Sequence, residues 1–168
     1  YLLKTHYRQP LNYSRQGIEQ SQQLLLNMYL LIWGESNVSK DESSEWWRSF
    51  IDALSDDLNT AQALTVMHEL MSEISSVKKA RRGPLCGLLI AMGKVLGLLN
   101  EDPQAFLHGD KDAEYIEQAI ARRHTARAQK DYSTADALRE ELDKDNIILE
   151  DYVEETRWYD RRAGIYIK

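Results

Sequence analysis

The sequence predicts a mainly α protein, with an antiparallel helical bundle followed by a small mixed α/β domain. Apolar residues recur at helical spacing through the first part of the chain. Residues 100–112 then contain a proline, a glycine and few apolar side chains, which is typical of a connection between domains. The last part combines helical patterns with β-prone runs. We therefore predict a helical bundle domain at residues 1–108 and a mixed α/β domain at residues 109–168.

The first two helices of the bundle are predicted from caps and apolar spacing. Asn12 or Ser14 caps a helix that continues to about Trp33, because apolar residues recur along it every three or four positions. A shorter helix starts at Ser43 or Ser44 and carries a cluster of aromatic and aliphatic residues. Both helices have an apolar face that needs a partner.

The third helix is predicted to begin at Asn59 or Thr60, which are good N-cap residues. Asp56 and Asp57 precede it, and we expect their charges to complement the helix dipole rather than to bind a metal. The fourth helix, from about Leu85 to Leu99, follows a chain break at a Gly-Pro pair. It is apolar nearly all round, so it should be the most buried element.

The predicted α/β domain has two helices and two strands. The helices run from about Ala113 to Gln129 and from Ser133 to Lys144, and Asn146 ends the second. The runs Ile147 to Leu149 and Thr156 to Tyr159 are rich in residues that favour strands. Helices followed by a pair of strands make a small mixed unit.

The net charge limits the kind of nucleic-acid contact that is possible. The 168 residues carry a formal net charge of −6, whereas non-specific binding to nucleic acid needs an overall basic surface. Contact with RNA would therefore be local. Arg122, Arg123, Arg127 and Lys130 form a basic run without a carboxylate, although charge alone favours a solvated helix face.

The number of cysteines and the length of the apolar runs indicate the cellular setting. Cys86 is the only cysteine, which excludes an intrachain disulfide and a cysteine-based zinc site and favours a reducing, cytoplasmic environment. No apolar run reaches the roughly 20 residues that cross a bilayer. The chain opens on Tyr1-Leu2-Leu3 without an initiating Met or a leader. We interpret this opening as a sign of a piece of a longer or trimmed protein.

Motifs for enzyme active sites are missing from the sequence. There is no Walker A loop, no G-x-G-x-x-G, no H-E-x-x-H and no G-x-S-x-G elbow. The four histidines are scattered, and none has a second His or a Cys at metal-ligand spacing. We therefore predict neither a catalytic residue nor a metal site in these residues.

The last third of the chain contains the residue types that hold splayed RNA bases. Aromatic rings stack on bases, carboxylates accept from base amino and imino groups, and arginines donate to base carbonyls or phosphates. Ordinary explanations also exist: Asp136 could complement a helix dipole, Arg139 could pair with it, and Trp158 could be core. The candidate residues are Arg127, Tyr132, Asp136, Arg139, Asp151 and Trp158.

Several segments, taken in their order and spacing along the chain, resemble segments of the cysteinyl-tRNA synthetases of the bacterial class I type. Thr5-His6-Tyr7-Arg8 resembles the stretch that leads into the helical bundle of that family. Asp56-Asp57-Leu58-Asn59-Thr60 and Leu96-Gly97-Leu98-Leu99 resemble later parts of the bundle. Residues 126–139 and 148–151 resemble the anticodon-binding end.

The resemblance implies an ATP-dependent ligase that joins cysteine to tRNA-Cys and uses zinc to select the cysteine thiolate. The sequence contains neither H-I-G-H nor K-M-S-K-S and has no zinc ligand set. We therefore expect residues 1–168 to be inactive alone and to bind neither ATP nor zinc. They should contact tRNA-Cys through the bundle and through an anticodon-binding domain at 109–168. No DNA or membrane partner is expected.

The resemblance also assigns roles to the candidate residues. Arg127 and Asp136 fall where the family has base-contacting residues. Asp151 falls at the carboxylate that follows the strand, and Trp158 falls at the near-terminal tryptophan. Tyr132 stands where the family often has a tryptophan, and its ring can still stack on a base. Beside these, Arg139 follows Asp136 by one helical turn, and the expected contacts to tRNA backbone are Arg122, Arg123 and Lys130.

Two other interpretations stay open. A paralogue that ligates cysteine to an amino-sugar would resemble the synthetases through the bundle, but it would lack the anticodon-binding end that this sequence has. A non-enzymatic helical interaction module would bind a partner protein, and the acidic net charge supports it. The sequence also departs from the family at residues 152–155, where a Pro-x-Gly turn is usual, and residues 161–168 have no family role.

Overall fold

The computed structural model describes residues 1–35, 41–152 and 155–164. These residues form two compact units, Tyr1–Pro103 and Gln104–Lys168. The first unit is helical, and the second combines helices with a two-stranded antiparallel sheet. The predicted fold class, mainly α with a small α/β part, is confirmed. The division lies within the connecting segment predicted at residues 100–112.

The helices of the first unit begin at the caps that the sequence indicated. The Ser14 side chain accepts from the backbone N–H of Gly17 at 3.0 Å, and the Asn59 side chain accepts from that of Gln62 at 3.1 Å. Both satisfy a donor that has no partner inside its helix. The helices are α1 (Arg15–Ile32), α2 (Glu45–Ser55), α3 (Thr60–Ser76) and α4 (Arg82–Val95).

The apolar faces of these helices bury large side chains. α3 contributes the longest buried stripe, because its apolar residues recur every three or four positions. None of the described helices is both long and apolar enough to cross a membrane. The largest fully buried side chains of the unit are Phe50, Met28, Met67, Leu70, Ile74, Leu89, Met92 and Cys86.

Helix α4 begins and ends earlier than predicted. Pro84 lies inside its first turn, where a missing backbone N–H costs nothing, so the Gly-Pro pair does not break the helix. At the other end, Gly97 adopts φ +74° and its N–H donates to the carbonyl of Lys94 at 3.1 Å. The N–H of Leu98 reaches back to Gly93 at 2.7 Å, which completes a Schellman stop signal.

Asp57 does not serve as the dipole partner expected for α3. It has φ 52°, and its carboxylate accepts from Tyr7 Oη at 2.8 Å and from Arg8 Nη2 at 3.2 Å. His6 Nε2 lies 3.1 Å from the Asp57 carbonyl oxygen. Two of the family-like segments are therefore bound to each other, although they are far apart in the sequence.

The second unit contains a helix that the sequence did not predict. α5 (Pro103–His108) carries just two buried apolar residues, Phe106 and Leu107, which is too few to show a helical period. Gly164, with φ +77°, packs against it: a Cβ there would lie 2.7 Å from Cζ of Phe106. The segment predicted as a connection between domains therefore contains a short helix.

The remaining elements of the second unit match the prediction closely. They are α6 (Ala113–Ala128), α7 (Tyr132–Lys144), β1 (Ile147–Asp151) and β2 (Thr156–Asp160). The strands are antiparallel, with Leu149 opposite Trp158 and Asp151 opposite Thr156. The core cluster consists of Ile116, Ala119, Leu142, Ile147, Leu149 and Trp158.

The cap of α3 offers a direct test of this fold. We expect Asn59→Ala to lower the free energy of unfolding by about 1 kcal/mol, because the Gln62 N–H loses its acceptor. Asn59→Asp keeps an acceptor and should stay close to the parent protein. Urea denaturation of the three proteins measures the difference, and equal stability of the Ala and Asp variants would contradict the assigned cap.

Candidate nucleic-acid interface

A tight turn fixes the end of α6 against the start of α7. Lys130 adopts φ 61°, and its N–H donates to the carbonyl of Arg127 at 3.0 Å. The N–H of Asp131 donates to Ala126 at 2.9 Å, so α6 ends in a Schellman motif. The Asp131 side chain then caps α7 by accepting from the Thr134 N–H at 3.1 Å. Asp131 therefore takes part both in the motif that ends α6 and in the cap that starts α7.

One face of α7 carries three of the predicted site residues. Tyr132, Asp136 and Arg139 are spaced at i, i+4 and i+7, so they follow one another along the same side of the helix. All three residues are exposed, and Tyr132 is 61% accessible to solvent. The ion pair considered between Asp136 and Arg139 is not formed, and neither side chain has a hydrogen bond or ion pair within the described ranges.

A second group of residues converges on Asp151 at the end of β1. Arg123 donates to both carboxylate oxygens, from Nη1 to Oδ1 at 2.8 Å and from Nη2 to Oδ2 at 2.7 Å. Arg127, one helical turn later in α6, donates from Nη1 to Oδ2 at 3.2 Å. Thr156 donates its hydroxyl to Oδ1 at 2.8 Å from the paired strand. We call Arg123, Arg127, Asp151 and Thr156 the Asp151 cluster.

The Asp151 carboxylate has no acceptor position left for a base. A carboxylate offers about four lone-pair sites, and the cluster supplies four donor contacts. The bidentate bond from Arg123 holds the pKa of Asp151 well below its ordinary range, with further help from Thr156 and the charge of Arg127. The protein itself therefore satisfies the acceptors that Asp151 was expected to offer, and its contact with a base stays a prediction.

Arg123 lies in the interior rather than on the predicted basic surface. Its side chain is only 5% exposed, and it occupies a buried position of α6 in phase with Ala119 and Ala126. Hydrogen bonding to Asp151, and the charges of Asp151 and Asp136, raise its pKa. The side chain is bonded within the protein, and its expected contact with a phosphate stays a prediction. The missed signal is its place in the apolar stripe of its helix.

Trp158 lies in the core of the α/β unit. It is 3% exposed, and its ring stacks on that of His108 with centroids 3.6 Å apart. The alternative considered for it, core packing in a small domain, is what the structure shows. The ring is therefore almost fully covered by protein, and base stacking by Trp158 stays a prediction.

The surface cations of the region are Arg122, Arg127 and Lys130. The Arg127 side chain is 48% exposed despite its contact with Asp151, so most of its donors face solvent. Arg122 and Lys130 are exposed, as expected for contacts to RNA backbone. Two opposed effects act on the pKa of Tyr115. Its hydrogen bond to Glu141 raises the pKa, and the charge of Arg122 lowers it by a smaller amount.

Thr156 and His124 were not singled out from the sequence. His124 Nε2 lies 3.0 Å from Thr156 Oγ1, whose one proton already points at Asp151. His124 must therefore be the donor in that contact. Sequence reasoning had no means of finding them, because strand pairing alone brings Thr156 opposite Asp151.

The described residues do not fit a metal ion. No group of three or more His, Cys, Asp or Glu side chains comes together within the described ranges. Cys86 is buried, and burial together with the charge of Glu35 raises the pKa of its thiol to about 11. That thiol is far from the thiolate form that zinc requires.

Comparison with known proteins identifies the class of the bundle first. A family model described as a DALR domain matches residues 49–100, which run from α2 past the end of α4. Curated relatives then extend the likeness to nearly the whole chain. The cysteine–tRNA ligases of Idiomarina loihiensis and Laribacter hongkongensis are 37% and 39% identical over 97% of this chain. That of Alkalilimnicola ehrlichii is 40% identical over 94%.

Over nearly its whole length the chain is similar to cysteine–tRNA ligases, as the resemblance predicted. It matches the C-terminal part of these relatives and spans about 36% of their length.

Removing the two arginines of the Asp151 cluster should have unequal effects on stability. We expect Arg123→Gln to lower the free energy of unfolding by about 2 kcal/mol, since it breaks a buried, charged, bidentate bond. Arg127→Gln should cost less than about 1 kcal/mol, because that arginine is half exposed. Urea denaturation of both variants gives the comparison. Equal losses of unfolding free energy would show that the buried Arg123–Asp151 bond contributes no more stability than the half-exposed contact of Arg127.

The Asp151 cluster also predicts a pH dependence. Because the folded-state pKa of Asp151 is lowered, its stabilisation is present above the unfolded-state value of about 3.9 and is lost as pH falls towards the folded-state value. The parent protein should exceed Asp151→Asn in stability at pH 7, and the gap should narrow below about pH 4. A gap that is constant between pH 7 and pH 3 would contradict this assignment.

Proposed function

We propose that this chain binds tRNA and that the exposed face of α7, together with Arg127, contacts the anticodon. Relatives of the chain are named cysteine–tRNA ligases, and we propose that the RNA is tRNA-Cys. The observation that carries the proposal is the arrangement of three side chains along one side of α7: an exposed ring, a carboxylate without a partner among the described residues, and an arginine. We call Tyr132, Asp136, Arg139 and Arg127 the anticodon face.

Asp136 is the best candidate for reading a base edge. Its carboxylate has no hydrogen bond or ion pair within the described ranges, yet its charge acts on Arg123. A base that presents two donors, such as guanine, can satisfy both oxygens, whereas a wrong base leaves them unpaired. Contacts of this kind discriminate between bases by about 1–3 kcal/mol.

Asp151 takes a different role from the one that the family resemblance implied. With all four acceptor positions used, it orients Arg127 rather than touching a base. The rigid bond to Arg123 holds the carboxylate still, and the carboxylate in turn limits the guanidinium positions open to Arg127. An arginine whose side chain is already held in position loses less conformational entropy on binding RNA than a freely moving one.

Stacking and charge supply affinity that does not depend on base identity. The exposed ring of Tyr132 offers a stacking surface worth about 1–3 kcal/mol for one base. Arg122 and Lys130, near the α6–α7 turn, provide positive charge for phosphates. Such contacts weaken as salt rises, because each one releases counterions from the RNA.

The activity of the whole protein is part of the same proposal. The relatives' name describes ligation of cysteine to tRNA, and we propose ATP as the energy source and zinc as the thiolate-selecting ion. Both would be held outside the described residues, which do not fit a metal. The place of action is the cytoplasm, where tRNA is charged. Residues 1–168 contribute tRNA recognition and no step of the chemistry.

The role of Asp136 is tested by binding to two transcripts, tRNA-Cys and the same tRNA with a changed anticodon. We expect Asp136→Asn to lose most of the preference for the native anticodon, because the base loses a charged acceptor. Glu117→Gln, which removes one charge from an exposed position of α6, is the matched control and should keep the preference. An unchanged preference in Asp136→Asn would refute the assignment.

A double-mutant cycle separates positioning from direct contact. We expect Asp151→Asn and Arg127→Gln each to weaken tRNA binding, and the double variant to be little weaker than Arg127→Gln alone, because Asp151 acts through Arg127. Fluorescence anisotropy with labelled tRNA measures the four affinities. Additive losses would mean that Asp151 binds the RNA independently.

A further inference from the structure

A groove in the α/β unit adjoins the anticodon face. It has a volume of about 200 Å³ and lies between the second half of α7 and strand β1. Arg139, the last residue of the anticodon face along α7, also lines the groove, so the two surfaces are continuous. We call it the edge groove, and its lining residues are Arg139, Glu140, Asp143, Ile147, Ile148 and Leu149.

The hydrogen bonds at the two ends of the sheet show which backbone groups of β1 point away from β2. In an antiparallel pair, opposite residues alternate between pairs that bond each other and pairs whose N–H and C=O groups point outward. The Arg161 N–H donates to the carbonyl of Asn146, and the Tyr152 N–H donates to the carbonyl of Glu155, both at 2.8 Å. Both bonds fit the register of the strands. The even-numbered residues of β1 therefore bond β2, and the odd-numbered residues point outward.

Ile147 and Leu149 therefore present backbone donors and acceptors to the edge groove. Their side chains belong to the core cluster, with the two residues 2% and 7% exposed, so backbone is what they offer a ligand. Among the described residues β1 pairs with β2 alone, and no backbone hydrogen bond to these outward groups is formed there. An open strand edge of this kind is a template for any molecule that presents matching donors and acceptors.

The charges around the edge groove favour a neutral ring over a phosphate. Glu140 and Asp143 are exposed carboxylates on its α7 side, and Asp143 is paired with Arg161. The negative charge of Glu140 would repel a phosphate. Arg139 is exposed and forms no ion pair within the described ranges, so its planar guanidinium is available to stack on a ring. An unstacked RNA base has a flat face for the arginine and an edge of donors and acceptors for the strand backbone.

We propose that the edge groove holds a second base of the anticodon loop. The outward backbone groups of Ile147 and Leu149 bond the edge of this base, and Arg139 stacks on its face. The inference rests on the proposed function, in which Asp136 reads a first base one helical turn earlier on α7. RNA is favoured over an added peptide strand, because the groove continues the anticodon face and extends along only three residues of β1.

The test is binding of the whole chain to anticodon stem-loops of tRNA-Cys that lack one loop base at a time. Each stem-loop carries a single abasic nucleotide, and fluorescence anisotropy measures its affinity relative to that of the intact loop. Glu140→Trp fills the edge groove with an indole. Glu117→Trp makes the same change at an exposed position of α6 outside the groove and is the matched control. Asp136→Asn is the third variant, and thermal unfolding confirms that all three are folded.

In the parent protein, we expect an abasic nucleotide at either held position to weaken binding about tenfold, because one base loses its contacts. Glu140→Trp should bind the intact loop about tenfold more weakly. It should show no further loss at the position that the groove holds, and it should keep the loss at the position that Asp136 reads. Asp136→Asn should show the reverse pattern. Glu117→Trp should behave like the parent protein.

Two results would overturn the edge groove as a base site. If Glu140→Trp keeps the parent's loss at every abasic position while Asp136→Asn does not, the groove holds no base and the anticodon face stands without it. If the two indole variants bind all stem-loops alike, the effect of Glu140→Trp is not specific to the groove. Failure of the parent protein to bind any stem-loop would remove the proposed function and this inference together.

Discussion

The bidentate bond between Arg123 and Asp151 is the interaction on which the α/β unit depends. It joins a buried position of α6 to the end of β1, and Thr156 ties the same carboxylate to β2. Removing Asp151 would leave the Arg123 guanidinium with little access to water. Arg127 reaches the surface from this fixed point, so the geometry of the anticodon face follows from an internal ion pair.

The proposed function gives different roles to two carboxylates, Asp151 and Asp136, that look alike in the sequence. Asp151 is saturated by the protein and holds an arginine in place, whereas Asp136 has acceptors to spare and stands on an exposed helix face. A charge that is already satisfied cannot discriminate between bases. In the proposed function, discrimination between bases is assigned to Asp136, because its hydrogen-bond partner arrives with the RNA. A wrong base would leave the carboxylate unpaired, which costs binding free energy.

Local signals predicted the elements well, and long-range pairing explains what they missed. Caps at Ser14 and Asn59, and the left-handed Asn146, placed helix ends because each satisfies a nearby backbone group. The site was predicted by residue type, yet the burial of Arg123 and Trp158 depends on strands and helices meeting in space. α5 was missed since it owes its existence to packing against Gly164 and its neighbours rather than to its own pattern.

The most direct measurement is a crystal structure of this chain bound to the anticodon stem-loop of tRNA-Cys. We expect a carboxylate oxygen of Asp136 within hydrogen-bond distance of an anticodon base, with Asp151 still bound to Arg123 and Arg127. A structure in which Asp151 has left Arg123 and bonds a base, while Asp136 faces solvent, would contradict the division of roles between the two carboxylates.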